Sequence, residues 1–158
     1  MTSTEFNLDE LDKRLLDALQ DNAARTNQEL AELVHASPPT CLRRVKRLTD
    51  SGVIARQVAL LNPAAVGAGL TAIVEITLDV QTSERLMEFE KLVALEPSVQ
   101  QCYRVSQGPD FVLIVQVRDM PAYHEVAHRL FASHANVRNV RSFFSVLRSK
   151  FETRIQLG

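Results

Sequence analysis

The short break at Val34-His35-Ala36 constrains this chain more than any other feature. Upstream, Thr26-Asn27-Gln28-Glu29 reads as a capping box that opens a helix. Leu30, Leu33 and Val34 follow at helical spacing and are expected to face inward. Downstream, Ser37-Pro38 restarts the chain as an N-cap followed by proline at the first helical position, where a missing N–H costs little. Two helices are thus joined by three or four residues, and the second is basic. That is the geometry of a helix-turn-helix, here spanning residues 27–46.

A helix precedes the pair: Leu8, Leu11, Leu15 and Ala18/Leu19 recur at helical spacing, with Asn7 or Asp9 available as N-cap. The helix after the break is expected to run to about Ser51, with Gly52 ending it in a left-handed conformation.

The net charge of −1 offers no general attraction to nucleic acid, so any such affinity must be local. Residues 37–56 carry Arg43, Arg44, Lys46, Arg47 and Arg56 against the single acid Asp50, whereas 5–32 is rich in Asp and Glu. At about 100° per residue, Cys41, Val45 and Leu48 form the inward stripe of the third helix. Pro39, Thr40, Arg43, Lys46 and Arg47 fall opposite. Arg43 suits a bidentate contact to guanine, and Ser37 and Thr40 suit phosphate or base edges. Pro38 and Pro39 offer flat apolar surface to a thymine methyl. Arg44, beside the core stripe, either braces the motif or holds a phosphate. A solvated basic helix in an ordinary bundle explains the charge alone. The tight turn, the Ser-Pro start and the outward cationic stripe together favour double-stranded DNA.

Beyond Gly52 the pattern changes. Residues 53–61 are apolar and β-branched enough for a linker strand, closed by Asn62-Pro63. Leu70, Ala72, Val74, Ile76 and Leu78 then alternate with polar residues as a strand does. Leu86, Phe89 and Val93 mark a helix ending before Pro97. Strands at 99–106 and 111–117 flank the turn Gln107-Gly108-Pro109-Asp110. Tyr123, Val126/Ala127 and Leu130 mark a helix, and 137–147 a last strand. The order βαββαβ is ferredoxin-like. The expected fold is therefore α+β: a helix-turn-helix domain with its linker strand over 1–62 and a ferredoxin-like domain over 63–158.

The run SPPTCLRRVKRLTDSGVI, preceded by LDELDKRLLDALQ and NQELAELV, resembles the Lrp/AsnC family, the leucine-responsive and feast/famine regulators of bacteria and archaea. The resemblance covers nearly the whole chain. It implies a homodimer, often assembled into tetramers or octamers, that binds pseudo-palindromic DNA and responds to a free amino acid such as leucine. By position, Ser37, Pro38, Pro39, Thr40, Arg43 and Arg44 match the family's recognition segment. Lys46 and Arg47 join them on charge. Family members usually carry Gly and Leu in the turn, where this chain has His35 and Ala36.

The family's second motif places Gly, Asp and Asp-aromatic between the two central strands, at a dimer–dimer contact that helps form the amino-acid pocket. Here the segment reads Ser106-Gln107-Gly108-Pro109-Asp110-Phe111, with Gly108 one place late and Pro109 unusual. This loop, with Tyr103 and Ser142 expected nearby in the sheet, is the candidate effector site; a plain Gly-Pro hairpin is the alternative.

His124-Glu125-Val126-Ala127-His128 matches the zinc-protease pattern H-E-x-x-H. Its helix turns Tyr123, Val126, Ala127 and Leu130 inward, which leaves both histidines on a flank. Only His134 follows as a third ligand, whereas a catalytic zinc needs three in an enclosed cleft. Metal and other cofactors are accordingly not expected, nor is enzymatic activity. The competing readings are a ferredoxin-like sensor, or a decarboxylase of the same architecture without DNA binding. Cys41 and Cys102 match no metal or redox spacing, and Cys41 is expected in a core. With no membrane span and no secretory start, the expected location is the cytoplasm, at the nucleoid.

Overall fold

The computed structural model describes residues 7–157. They separate into two compact units. Residues up to Leu60 cluster with those from Lys150 onward, and Leu61–Ser149 form the second unit. The last residues thus pack with the helical unit, not with the sheet unit to which the sequence pattern attached them. Gln20 fixes them: its Nε2 donates to the Ile155 carbonyl at 3.0 Å and its Oε1 accepts the Ile155 N–H at 2.7 Å.

The helical unit contains α1 (Glu10–Asp21), α2 (Asn27–Val34) and α3 (Pro38–Asp50). Each begins where a side chain can take an orphan N–H. Asp9 caps α1 in a reciprocal box with Asp12, Thr26 caps α2 in one with Glu29, and Ser37 caps α3. Leu15, Leu30, Ala31, Val34 and Cys41 form the core, with Leu11, Ala18, Leu19 and Val45 against it. Leu33 does not join them. It is 53% exposed, and Ala31 takes the inward position instead, because the buried face of α2 runs through 30, 31 and 34. Gly52, at φ 79°, ends α3 in the expected left-handed conformation, and the Ile54 N–H closes on the Leu48 carbonyl at 3.0 Å.

The expected linker strand is not formed. Residues 53–62 pair with no strand among the described residues, and Val58, Leu60 and Leu61 are exposed. A strand needs a ladder partner, and this single chain supplies none at that place.

In the sheet unit a short 3₁₀ turn, Ala64–Val66, leads into β1 (Leu70–Leu78), α4 (Ser83–Ala94), β2 (Val99–Arg104), β3 (Phe111–Val117), α5 (Met120–Ala127) and β4 (Val137–Phe144). The four strands pair antiparallel in the order β2-β3-β1-β4, the ferredoxin-like arrangement. β2 and β4 end two or three residues earlier than their apolar patterns suggested. After α5 a wider π-helical turn, His128–Ala132, accompanies the burial of both Leu130 and Phe131. The core lies on the helix-covered face: Ala72, Val74, Ile76 and Leu78 of β1 meet Phe111, Leu113, Val115 and Val117 of β3 beneath Phe89, Val93, Tyr123 and Val126. On the opposite face Ile73 pairs with Ile114 and with Phe143, and both Ile73 and Phe143 remain exposed. Beside them the same face carries the Glu75–Arg141 ion pair, and among the described residues of the sheet unit no helix covers it.

Candidate nucleic-acid interface and effector region

His35 makes the sharp turn between α2 and α3. It is the non-glycine residue with positive φ among the described residues (φ 54°, ψ 50°), where the related pattern has glycine. Its N–H still reaches the Ala31 carbonyl, so the turn is closed despite the cost of a side chain in that region. Ser37 then starts α3 in an extended conformation. Its Oγ accepts the Thr40 N–H at 3.3 Å and lies 2.8 Å from the Thr40 hydroxyl.

This start has a chemical consequence. Pro38 and Pro39 have no N–H, the Thr40 N–H is taken by Ser37, and the Cys41 N–H donates to the Ser37 carbonyl. Helix starts commonly bind phosphate through orphan N–H groups. Here the two prolines and the Ser37 cap remove three of the four orphan N–H groups, so a phosphate at this end must be met largely by side chains. Ser37 and Thr40, read from the sequence as contacts to DNA, spend hydroxyl capacity on each other.

The cations of α3 fall into two groups. Arg43 and Lys46 are exposed; Lys46 makes only a surface pair with Asp50 at 3.6 Å, one turn on. Arg44 and Arg47 turn back to α1. Arg47 Nη2 pairs with Asp12 Oδ2, and Arg44 Nη1 bridges Asp9 Oδ2 and Asp12 Oδ1, the latter at 3.2 Å. Asp12 is fully buried and also accepts the Asp9 N–H at 3.2 Å. The Asp9 carboxyl is held below the usual carboxylate range by the Asp12 N–H and by Arg44. Arg44 therefore braces the motif, one of the two roles open to it. Arg47 is exposed with Lys46 as expected, its side chain 45% accessible, but its guanidinium is also engaged with the buried carboxylate. Asp12 is not among the residues singled out from the sequence, and its place at the third position of a capping box is the signal that could have found it.

The residues singled out for an effector do not converge within one protomer. Tyr103 lies opposite Val112 on β2, at one edge of the sheet and on its open face, where it is 52% exposed and bonds Gln101 at 2.8 Å. Ser142 lies opposite Val74 on β4, at the other edge and on the helix-covered face, bonded to the Tyr123 hydroxyl. Three strand steps, about 14 Å, and the sheet itself separate them. The expectation that they lie near each other fails because β2 and β4 are the two edges.

Asp110 is also occupied. Its carboxylate accepts the Leu78 N–H at 2.7 Å and Gln81 Nε2 at 3.3 Å, while its own N–H donates to the Ile76 carbonyl at 2.8 Å. It ties the β2–β3 turn to the end of β1. Ser106, Gln107 and Gly108 at the tip are exposed, Pro109 is half-buried, and Gly108 has φ 90° with open space beside it.

An open groove of about 1000 Å³ runs between α5 and β4, lined by Tyr123, His124, His128, Arg138, Asn139 and Ser142. His124 and His128 are exposed on its wall, and His134 stacks edge-on against Phe89. Among the described residues no group of three His, Cys, Asp or Glu is placed to hold a metal ion. Cys41 is buried, and burial raises its thiol pKa; Cys102 is exposed on β2. Among the described residues no helix is long and apolar enough to cross a membrane.

Both units match known families. Residues 8–55 match a winged helix-turn-helix DNA-binding model, and residues 71–155 match the Lrp/AsnC ligand binding domain. The chain is 37% identical over 150 residues to an HTH-type transcriptional regulator of Haemophilus influenzae, covering 95% of this chain and 89% of that one. It is 36% identical over 150 residues to the DNA-binding transcriptional activator DecR of Escherichia coli strain K12, covering 95% and 99%. A crystal structure of a transcriptional regulator in complex with L-Met, from Neisseria meningitidis, superposes with a TM-score of 0.88 at 32% identity over 95% of this chain and 97% of that chain.

Proposed function

The chain belongs to the Lrp/AsnC family of transcriptional regulators, and from that premise we propose how it works. It is a DNA-binding transcriptional regulator whose α3 enters the major groove, with Arg43 and Lys46 facing the duplex. The observation that carries this is the composition of that face: exposed cations on a helix that follows a closed turn at His35 and starts with two prolines. Arg43 reads a base and Lys46 holds a phosphate. Pro38, Pro39 and Thr40 supply the surface at the helix start.

One such helix contacts too few base pairs to find a genomic site, so two copies act together on a pseudo-palindrome with half-sites about one helical turn apart. The open sheet face supports dimerisation, since Ile73, Ile114 and Phe143 group there as an apolar patch rimmed by polar side chains such as Glu75 and Arg141. Residues 55–62, in no regular element and with Val58, Leu60 and Leu61 exposed, are suited to pair with a second copy. Further assembly into tetramers or octamers follows the family pattern. Ile73→Asp should give monomers in light scattering and lose operator binding; dimers that bind normally would remove the sheet face from the interface.

The second unit senses a free amino acid. The support is its match to the ligand binding domain and the L-Met bound by the Neisseria relative. Because Tyr103 and Ser142 lie apart, the tip 106–109 forms such a site only with a neighbouring copy. We place the protein in the cytoplasm, as a regulator and not an enzyme. Selection of binding sequences from random duplexes tests this reading: it should enrich a pseudo-palindrome, with the yield changed by one of the free amino acids. An unenriched pool would contradict it.

A further inference from the structure

Four cations on one helix do not all have the same employment, and Asp12 makes the division. On α3, Arg43 and Arg47 are one turn apart and so share a stripe. Without a partner, the Arg47 guanidinium would extend along the same face as Arg43 and Lys46. It is drawn back because Asp12, fully buried at the start of α1, presents Oδ2 to it and Oδ1 to Arg44. Asp9 takes the other contact of Arg44. The Arg44 Nε is buried without a hydrogen-bond partner, so this guanidinium is held mainly by charge at one nitrogen. A fully buried carboxylate is costly unless paired, and here two guanidiniums and a backbone N–H supply the pairing.

We propose that Asp12 is a positioning residue that sets DNA specificity, by keeping Arg47 and Arg44 on the protein and off the phosphate backbone. This rests on α3 being the DNA-contacting helix. Phosphate contacts strengthen binding to every sequence alike, whereas base contacts discriminate. A recognition helix offering all four cations to the duplex would bind non-operator DNA more tightly without reading more bases. Withholding two lowers that background and leaves Arg43 as a larger share of the binding energy. The carboxylates also fix the rotation of α3 against α1, so that Arg43 is aimed by the same contacts.

The test is the salt dependence of binding to a short scrambled duplex. Each phosphate neutralised contributes about −0.9 to the slope of log affinity against log salt. Arg47→Ala should leave the wild-type slope unchanged, because Arg47 contacts no phosphate; a slope shallower by about two units per dimer would overturn the proposal. Asp12→Asn keeps the capping oxygen and the shape but releases Arg47. It should steepen the slope by about two units per dimer and bind the scrambled duplex about tenfold more tightly at low salt, with less gain on the operator. Asp12→Asn with Arg47→Ala should return the slope to the wild-type value. A merely structural role for Asp12 predicts weaker binding with no steeper slope, which would also overturn the proposal. If wild-type protein showed no salt slope on any duplex, α3 itself would be the wrong surface, a result distinct from these.

Discussion

In the helical unit a carboxylate, Asp12, is as deeply buried as Leu15, whereas among the described residues the fully buried side chains of the sheet unit are all aliphatic or aromatic. The first unit is small and cannot exclude much water by apolar contact alone. Its helices are set by directional contacts: three side-chain caps, and two guanidiniums converging on Asp12 from a helix more than thirty residues away. The second unit buries Phe89, Phe111 and two rows of aliphatic side chains between sheet and helices. Hydrophobic burial is strong but non-directional. Directional contacts fix the setting of α3, on which the proposed base reading depends, and a broad core supports the sheet proposed as the assembly surface.

The largest effect expected is in the sheet unit. Phe89 is fully buried and meets Phe111 at a ring separation of 4.9 Å. Phe89→Ala should cost about 3–5 kcal/mol in urea unfolding followed by the β1 and β3 amides. A loss below about 1 kcal/mol would show that this core collapses around the cavity and is not the rigid support described.

A smaller effect is expected in the helical unit. Ser37→Ala removes the α3 cap and should cost about 1 kcal/mol, read from the exchange of α3 amides. It should weaken DNA binding only through that loss, since the Ser37 oxygen is used for the Thr40 N–H. A selective change in base preference would instead make Ser37 a direct reader.

The smallest effect concerns pH. Asp9 and Glu29 are held below their ordinary values, Asp9 chiefly by the Asp12 N–H and Glu29 chiefly by the Thr26 N–H. A carboxylate lowered in the folded state adds stability above its unfolded value, about 4, and loses it as pH falls through the folded one. The urea midpoint of α1 and α2 signals should therefore be flat from pH 7 to 5, as far as these two caps decide it, and decline below about pH 4. A decline already complete at pH 5 would mean that other groups control the helical unit.

Local signals made much of this legible. Thr26 to Glu29 and Ser37-Pro38 mark helix starts through contacts three residues apart, and alternation in β1 and β3 marks strands buried on one face. What escaped was set by distant partners. The pairing of Arg47 with Asp12 spans thirty-five positions, and no spacing rule links them. Tyr103 and Ser142 lie on β2 and β4, which the pairing places at opposite edges of the sheet, and side-chain type in one strand carries no information on which strands are its neighbours. Residues 53–61 have strand composition, but composition carries no partner. Leu33 was misplaced because α2 buries the small Ala31 in its stead.

The central claim is that the exposed face of α3 reads bases through Arg43. The direct measurement compares wild type and Arg43→Ala on the selected operator and on its single-base variants. The account predicts a loss of about 1–3 kcal/mol on the operator and relaxed preference at one position in each half-site, with little change on scrambled duplex beyond one lost charge. Unchanged operator affinity and unchanged base preference would contradict it.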